Sequence, residues 1–544
     1  MSHSFFQLVR REMQGSLPRL ATMSALGGIS NATILAAINA GAQSADSGRV
    51  SLSSAVLFIV ALVIFVKAQH YILITTTVEI EAIIHRLRLR LMDEVRRAEP
   101  MPLEAVGRTE IVAAITKETA ILAQATNMFA FVGQGLVLIS FVAIYVAYLS
   151  LFAFLLSAVI IGVAALVFHA RSRQLTAGKQ KASEWENRLF DRLTDLLDGF
   201  KEVRLNTARS DDLYDDIVEV SRNAANLKIE TQAETFKRLV FSQGSMYLVL
   251  GAVVFVVPSF SDTLGTSVAK TTMALLFVVG SCFGLVQAIP ILAAANNAAD
   301  NIERLEVKLI AAAEAVRSAA LEPTQQPKRF KIIEMRNVLF RYVDTSSDAV
   351  FQVGPLDFTL RSGDLIFITG GNGSGKSTFL KLLAGLYRAE SGDLLLDGVR
   401  VDENTHDAYR ALIAAIFVDY HLFHRLYGIA DPAPGEIDRL LAQFRLSDKT
   451  RLNDGEFASL DLSGGQRKRL ALIVSMLEKR QILLLDEWTA DQDPEFRRKF
   501  YDELLPELLQ AGLTVVAITH DDRYLNEVKM PFTRLRMDEG IFVA

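Results

Sequence analysis

The chain has 544 residues, of which 51% are hydrophobic and only 22% are charged, and its formal net charge at pH 7 is −5. This composition is too apolar for an ordinary water-soluble protein of this length and indicates that part of the chain lies in a lipid bilayer. The slightly negative charge provides no basic footprint for nucleic acid, so we expect no nucleic-acid partner.

The N-terminal part contains apolar stretches that could cross a membrane, each with the roughly 20 helical residues that a bilayer core requires. We predict six such spans, at 20–41, 54–75, 128–149, 151–170, 239–260 and 272–294. The first could instead be a signal peptide, because Ala40-Gly41-Ala42 resembles a cleavage site. The polar region before it is long for a signal peptide, and an uncleaved helix makes the number of spans even.

The positions of Lys and Arg predict the orientation of these spans. The short loops 42–53 and 261–271 contain only Arg49 and Lys270. The long segments 76–127 and 171–238 are rich in basic residues, among them Arg86, Arg88, Arg90, Arg96, Arg97, Arg171, Arg173, Arg188, Arg192, Lys201 and Arg204. Because basic residues stay on the cytoplasmic side, we expect these long segments and both termini to lie in the cytoplasm.

The segment 171–238 predicts two long helices that leave the membrane and return to it, because charges alternate with helically spaced apolar residues and no proline interrupts them. We expect its turn near 205–209, and another turn near 107–110, to contact the C-terminal domain. The Pro-containing polar segment that begins at Glu322 predicts a linker. We therefore predict a membrane domain at 1–321, a linker at 322–329 and a second domain at 330–544.

The second domain contains a phosphate-binding loop. Residues 370–377 fit the pattern G-x-x-x-x-G-K-[ST], and they lie between a predicted strand and a predicted helix. In this pattern backbone N–H groups surround a phosphate, the lysine reaches the outer phosphates and the hydroxyl binds Mg²⁺. We therefore expect ATP and Mg²⁺ to bind here, with Ser377 as a ligand of the metal. The predicted binding residues are Gly371, Asn372, Gly373, Ser374, Gly375, Lys376, Ser377 and Thr378.

A buried strand at Ile482–Leu485 ends in Asp486 and Glu487. Ligands of α/β sheets bind at this end of the strands, so these carboxylates are well placed for chemistry. We expect Asp486 to hold Mg²⁺ and Glu487 to polarise the attacking water, with Lys376 as a further catalytic residue.

The segment Leu462-Ser463-Gly464-Gly465-Gln466 resembles the signature motif of ATP-binding-cassette (ABC) ATPases. The resemblance implies that Ser463, Gly464, Gly465 and Gln466 face the γ-phosphate held by an opposite cassette. A working site then needs two cassettes, whereas this chain has one. The alternatives are a homodimer, which we predict, and a heterodimer with another chain.

The same resemblance implies roles for three further residues. Tyr342 would stack on adenine, Asp493 would end the loop that communicates between the two sites, and His520 would contact the γ-phosphate. Tyr342 could equally be a tyrosine packed on the sheet, and a lone histidine is usually structural. The glutamine that the family uses near Mg²⁺ aligns with Val418, and the neighbouring Asp419 could substitute for it.

The whole chain resembles the exporter class of ABC transporters. The expected fold is an α-helical six-span membrane domain with long cytoplasmic helical extensions, followed by an α/β ABC ATPase domain. Segments 486–497, 500–506 and 520–524 look like the cyclic-peptide and siderophore exporter subfamily of the bacterial inner membrane. The resemblance implies export of a peptide-type substrate, with membrane lipid as a further partner. The alternatives are an ATP-driven lipid flippase and an ATP-gated membrane sensor or channel, against which the intact Glu487 argues.

Overall fold

The computed structural model of the chain describes residues 4–13, 15, 17–46, 52–170, 172–260, 265–314, 329–343, 350–430 and 432–543. The chain forms two compact units, Met1–Met92 with Thr109–Glu306, and Asp93–Arg108 with Val307–Ala544. Each unit thus combines two separate stretches of the chain. The predicted linker 322–329 lies outside the described residues except for Arg329, so the predicted domain boundaries stay predictions.

The described residues up to 314 are almost entirely helical. The helices are α1 (Ser4–Glu12), α2 (Leu17–Asp46), α3 (Leu52–Arg97), α4 (Pro100–Val106), α5 (Arg108–Ala113), α6 (Thr119–Leu149), α7 (Leu151–Ala170), α8 (Ser172–Asp198), α9 (Phe200–Leu205), α10 (Thr207–Phe255) and α11 (Gly265–Glu314). A π-helical turn at Ala114–Glu118 joins α5 to α6, and a short 3-10 turn at Val257–Phe260 follows α10.

Five helical segments in the described part of the chain are long and apolar enough to cross a membrane. They are Leu17–Gly41, Leu52–Arg97, Phe131–Leu149, Thr207–Ser259 and Val268–Ala313. The sixth predicted span, 151–170, is also helical, but its stretch Leu151–Val167 falls among the shorter apolar helices. The expected architecture of a helical membrane region is confirmed, with five clear spans where six were predicted.

The predicted helical excursion at 171–238 is present, although it does not consist of two equal helices. It comprises α8, the short α9 and the first part of α10. Asn206 separates α9 from α10 and caps α10, because its side chain accepts a hydrogen bond from the N–H of Arg209. α10 then runs for 49 residues into its apolar part without a break.

Two kinds of contact hold the first unit together. A cluster of buried apolar side chains joins α2, α6, α7, α10 and α11, and it includes Leu35, Leu138, Val253 and Ala274. At the end of α1, the carboxylate of Glu12 lies 2.8 Å from Nη2 of Arg90 on α3, and Arg90 also reaches Glu306 on α11. The N-terminal helix is thus fixed by charge to α3, and the same arginine joins α3 to α11.

The second unit contains strands β1 (Ile332–Val343), β2 (Val350–Arg361), β3 (Leu365–Thr369), β4 (Ser391–Leu396), β5 (Val399–Arg400), β6 (Ile413–Ile416), β7 (Leu452–Asn453), β8 (Glu456–Phe457), β9 (Ile482–Asp486), β10 (Thr514–Ile518), β11 (Thr533–Asp538) and β12 (Ile541–Val543). Its helices beyond residue 330 are α12 (Lys376–Leu383), α13 (His406–Arg410), α14 (Glu436–Gln443), α15 (Gly464–Leu477), α16 (Pro494–Lys499), α17 (Leu505–Gln510) and α18 (Asp522–Leu525).

A six-stranded sheet, in the order β12-β11-β3-β10-β9-β6, is the centre of this unit. All its neighbouring strands are parallel except the pair β11 and β12. Residues alternate along each strand between two cores, so that Phe367 and Val515 face one core while Ile368 and Val516 face the other. Burial on both faces explains why these strands read as unbroken apolar runs. An antiparallel sheet, β2-β1-β4-β5, contributes to the second core.

Candidate nucleotide site

The register of three parallel strands brings the predicted catalytic segments together. Ile518 of β10 pairs with Ile368 of β3 on one side and with Asp486 of β9 on the other. The residues that follow these strands therefore leave the sheet at the same edge, which is where ligands of parallel sheets bind. This edge carries the phosphate loop, Glu487 and His520.

The phosphate loop has a backbone that only glycine fits at its first position. Gly370 has φ of 152°, and a Cβ there would lie 2.1 Å from the carbonyl oxygen of Met537. The loop ends at Gly375, after which α12 begins with Lys376. The Lys376 ammonium, at 5% exposure, donates to the carbonyl oxygens of Gly370 at 3.1 Å and Gly371 at 2.7 Å. A positive charge and the start of a helix thus meet in one concave loop, which suits a phosphate.

Two buried oxygens beside this loop have no hydrogen-bond partner among the described residues. They are Oγ of Ser374 and Oδ1 of Asp486, whose residues are 4% and 2% exposed. Burial raises the pKa of the Asp486 carboxyl, a hydrogen bond from Ser377 opposes this shift, and the charges of Glu487 and Asp419 add to it. An unpartnered carboxylate oxygen beside a hydroxyl matches the all-oxygen ligand set of Mg²⁺. Ser377 and Asp486 therefore fit the predicted metal site.

Glu487 and His520 form a pair at the edge of the sheet. Oε1 of Glu487 lies 3.0 Å from Nε2 of His520, and both side chains are partly exposed to solvent. The backbone of Glu487 is left-handed, with φ of 49° and ψ of 37°, and its N–H donates to the carbonyl oxygen of Ile518. The residue predicted to polarise the attacking water thus lies next to the histidine predicted to contact the γ-phosphate.

The segment that resembles the signature motif forms the start of α15. Ser463 is its N-cap in a capping box, in which its side chain accepts from the N–H of Gln466 and the Gln466 side chain accepts from the N–H of Ser463. Ser463 and Gly464 are exposed. Gly465 packs so closely that a Cβ would lie 2.5 Å from the carbonyl oxygen of Asp491. The exposed end of α15 can therefore meet another molecule, while its next turn is fixed to residues 491–493.

Asp493 has a structural role that its sequence position did not reveal. It is the N-cap of α16, where its carboxylate accepts from the N–H of Phe496 at 2.8 Å. The Arg469 guanidinium also donates to Asp493, and it donates to Oε1 of Gln492 at 2.8 Å. The hydrogen bond from Phe496 is the largest cause of a lowered pKa of Asp493, and Arg469 adds to it.

The residues missed by sequence reasoning are Lys468, Arg469 and Gln492, which join α15 to the segment after Glu487. Lys468 and Arg469 are only 5% and 8% exposed. One signal was available in the sequence, because the apolar run Leu470–Ile473 follows them directly and indicates a helix that is buried on most sides. A cation in such a helix needs a buried partner.

The remaining predicted residues lie at the surface of the unit. Tyr342, on β1 opposite Phe351, is 43% exposed, so one face of its ring is open to a stacking partner. Gly371 and Asn372 are exposed in the phosphate loop, and Thr378 is half-buried in α12. Val418 is 56% exposed, and its side chain has no polar atom that could bind Mg²⁺. The negative charge of Asp419 raises the pKa of both Asp486 and Lys381.

A short helix from the N-terminal half of the chain packs in the same unit. Arg410 Nη2 lies 2.6 Å from Oε2 of Glu99, at the start of α4, and Tyr387 donates to Glu104 at 3.0 Å. Met101 packs against the second core. Residues 99–104 make this contact, so the expected contact at the turn near 107–110 stays a prediction. Leu205, at the other predicted contact, is 88% exposed.

Comparisons with known proteins agree with this architecture. A family model described as ABC transporter matches residues 353–490. ATP-binding protein SyrD of Pseudomonas syringae pv. syringae is 35% identical over 473 residues, which cover 81% of this chain and 80% of that protein. Energy-coupling factor transporter ATP-binding protein EcfA1 of Streptococcus mutans is 32% identical over 221 residues, which cover 39% of this chain and 76% of that protein.

Among solved structures, a bacterial Atm1-family ABC exporter with ATP bound has a similar fold. Its TM-score is 0.70 at 19% sequence identity, and the match covers 98% of this chain and 95% of that chain. The similarity to SyrD is longer than either predicted domain of this chain, so it includes both the helical region and the sheet-containing region.

Proposed function

The chain belongs to the ABC transporter family as an exporter half-transporter, and on this premise we propose that a homodimer of it exports a peptide-type substrate across the bacterial inner membrane. Its ABC domain binds ATP and couples ATP hydrolysis to transport. The observation that carries the proposal is the convergence of the phosphate loop, Asp486, Glu487 and His520 at one edge of the sheet.

Binding begins at the phosphate loop. The backbone N–H groups of residues 371–376 receive the β- and γ-phosphates, and Lys376 exchanges its two carbonyl contacts for phosphate oxygens. Ser377 and Asp486 would hold Mg²⁺, which when bound neutralises the charge that develops on the phosphates. Asp419 would support this site from its place near Asp486, and Tyr342 would stack on the adenine.

Hydrolysis then depends on the pair of Glu487 and His520. The Glu487 carboxylate orients the attacking water and accepts its proton, because it is partly exposed at the sheet edge that carries the phosphate loop. His520, 3.0 Å from it, holds the carboxylate in place and contacts the γ-phosphate. A carboxylate in this role would be superfluous in a channel that nucleotide binding alone opens.

The second half of each site comes from the partner chain. Ser463, Gly464, Gly465 and Gln466 lie at the N-terminus of α15, and the first two are exposed. The partial positive charge of a helix N-terminus favours the γ-phosphate of a nucleotide bound by the opposite cassette. Two ATP molecules therefore close two cassettes, and Asp493 keeps the connecting segment in register through its cap and Arg469.

Closure would turn the membrane cavity outward, and separation after hydrolysis would return it to the cytoplasmic side. The distribution of basic residues supports cassettes in the cytoplasm, because Arg86, Arg88, Arg90, Arg96 and Arg97 all lie in the charged part of α3. The peptide character of the substrate rests on the resemblance of segments 486–497, 500–506 and 520–524 to cyclic-peptide and siderophore exporters.

The test is ATP-dependent uptake of a labelled peptide-siderophore precursor into inside-out membrane vesicles. We expect uptake by the natural chain and none by Glu487→Gln, whose ATP turnover falls by about 100-fold or more while ATP binding persists. Glu503→Gln, at an exposed position of the same unit, is the matched control. Near-normal turnover in Glu487→Gln would refute the catalytic assignment.

The cargo is tested separately in the same vesicles. ATP-dependent translocation of a fluorescent phospholipid that the peptide does not affect would show that the cargo is lipid and not a peptide. Conductance that does not depend on ATP hydrolysis would show that the protein is a nucleotide-gated channel and not a transporter. Disulfide cross-linking in the presence of ATP of a purified chain that carries both Ser463→Cys and Asn372→Cys tests the homodimer, since the proposal places Ser463 of one copy opposite the phosphate loop of the other.

A further inference from the structure

Lys468 is a lysine in an unusual place. It lies on the second turn of α15, its side chain is 6% exposed, and Nζ lies 2.8 Å from Oδ2 of Asp491. The same ammonium donates to the backbone carbonyl oxygen of Glu487 at 2.8 Å. Lysine is rarely buried unless it is paired, so these two oxygens explain why the charge lies inside.

The contact with Glu487 matters because the backbone of this residue is in a costly conformation. A left-handed backbone is unfavourable for a residue other than glycine and persists only where its surroundings hold it. Three hydrogen bonds hold the Glu487 backbone. Its N–H donates to the carbonyl oxygen of Ile518, and its carbonyl oxygen accepts from the N–H of Ala490 at 3.3 Å and from the ammonium of Lys468 at 2.8 Å, which is the shorter of the two contacts. This backbone conformation directs the carboxylate of Glu487 to His520.

Lys468 also contacts the next residue through its main chain. The indole Nε1 of Trp488, which is 1% exposed, donates to the carbonyl oxygen of Lys468 at 2.8 Å. The side chain and the backbone of one residue therefore fix Glu487, Trp488 and Asp491. Substitution of the side chain alone leaves the Trp488 contact in place.

We propose that Lys468 is a positioning residue for Glu487 and links the two ATP sites of the dimer. This inference rests on the proposed function. Ser463, which would face the partner's nucleotide, and Lys468 lie five residues apart on one helix, about 7.5 Å along its axis. When ATP in the opposite site draws the end of α15 into place, Lys468 moves with it and sets the backbone of Glu487. Hydrolysis at one site thus depends on ATP at the other.

The experiment measures steady-state ATP hydrolysis by the full-length dimer, comparing Lys468→Met with the natural chain. Methionine preserves the length of the side chain and removes its charge and donor. We expect kcat to fall by about tenfold or more, because small misplacements of a catalytic group have effects of this size. KM for ATP should stay within about twofold, since Lys468 does not touch the phosphate loop. The Hill coefficient for ATP should fall to about 1.

Three further variants separate positioning from simple structural support. Lys468→Gln keeps a donor for the Glu487 carbonyl oxygen, so we expect an intermediate kcat at unchanged KM, and this variant also serves if Lys468→Met fails to fold. Asp491→Asn removes only the negative charge of the exposed partner and should lose less activity than Lys468→Met. Lys529→Met, at an exposed lysine of the same unit, is the control and should behave like the natural chain.

A kcat within about twofold of the natural value in both Lys468→Met and Lys468→Gln would overturn the inference. So would an unchanged Hill coefficient, because a merely structural lysine would lower the folded fraction and leave cooperativity intact. Failure of the proposed function has a different signature, namely a natural chain without ATP hydrolysis or a Glu487→Gln variant with normal hydrolysis. The inference fails alone when Glu487→Gln is inactive and the Lys468 variants are not impaired.

Discussion

Replacement of Glu99 by glutamine removes the negative charge that links the start of α4 to the rest of the second unit. The Glu99 side chain is 6% exposed, and its Oε2 lies 2.6 Å from Nη2 of Arg410. Nη2 of Arg388 lies 3.8 Å from its other oxygen. Glutamine has nearly the same size and can still accept a hydrogen bond, so Glu99→Gln tests the charge with little effect on packing.

The expected loss follows from the burial of the two partners. Breaking a buried ion pair costs about 3–5 kcal/mol, whereas an exposed pair contributes at most about 1 kcal/mol. Arg410 is 26% exposed, and its guanidinium also donates to the carbonyl oxygen of Gly385 at 2.6 Å and 2.9 Å. Because Arg410 keeps these partners, we expect Glu99→Gln to destabilise the second unit by about 2 kcal/mol.

Denaturant unfolding of the full-length protein in lipid nanodiscs measures this loss. The chain has two tryptophans, and Trp488 is 1% exposed in the second unit, so its fluorescence reports this unit once Trp185 is replaced by phenylalanine. Glu99→Gln, Arg410→Gln and the double variant form a cycle, from which we expect a coupling energy of about 1–2 kcal/mol. Glu94→Gln, earlier in the same stretch of chain, is the control and should change stability by less than about 0.5 kcal/mol.

Two results would refute this reasoning. Additive losses in the cycle would show that Glu99 and Arg410 do not stabilise one another. An unchanged midpoint in Glu99→Gln would show that α4 does not depend on the charge.

Two further predictions concern the nucleotide site. Gly370→Ala should lower the affinity for a fluorescent ATP analogue at least about tenfold, because its Cβ would clash with the backbone at Met537. An unchanged affinity would contradict the steric argument. The lowered pKa of Asp493 means that its stabilisation is present above the ordinary Asp pKa of about 3.9 and is lost as pH falls through the lower folded value. Asp493→Ala should therefore lower Tm at pH 7, because it lowers the free energy of unfolding by about 1 kcal/mol, and this loss should become smaller in acid. Asp493→Asn should retain most of the stabilisation, because asparagine can also cap the helix. A deficit of Asp493→Ala that is the same at pH 7 and pH 3 would exclude a charged cap.

Local patterns were sufficient to predict the phosphate loop and the strands that carry it. The glycines of residues 370–375 encode a backbone that other residues do not adopt, and the apolar runs of β3, β9 and β10 indicate strands buried on both faces. Asp486 was predicted at a strand end because such an end is where parallel sheets bind ligands. Proximity of His520 to Glu487 depended on the family resemblance, since 33 residues separate them in the chain.

Long-range charge pairs were beyond such reasoning. Glu99 and Arg410 are 311 residues apart, and nothing in either local sequence indicates the other. Likewise, the apolar run after Lys468 indicates a largely buried helix, but nothing in the local sequence identifies the carbonyl oxygen of Glu487 as the partner of this lysine.

The place of α4 has a consequence for hybrid proteins. The second unit is discontinuous, because Asp93–Arg108 packs with Val307–Ala544. A cassette transplanted from a related exporter by a single cut in the linker would meet a foreign α4, in which the partners of Tyr387 and Arg410 need not be present. A graft that carries both stretches together would keep these contacts, so the natural module for exchange is defined by two excisions in the gene rather than one.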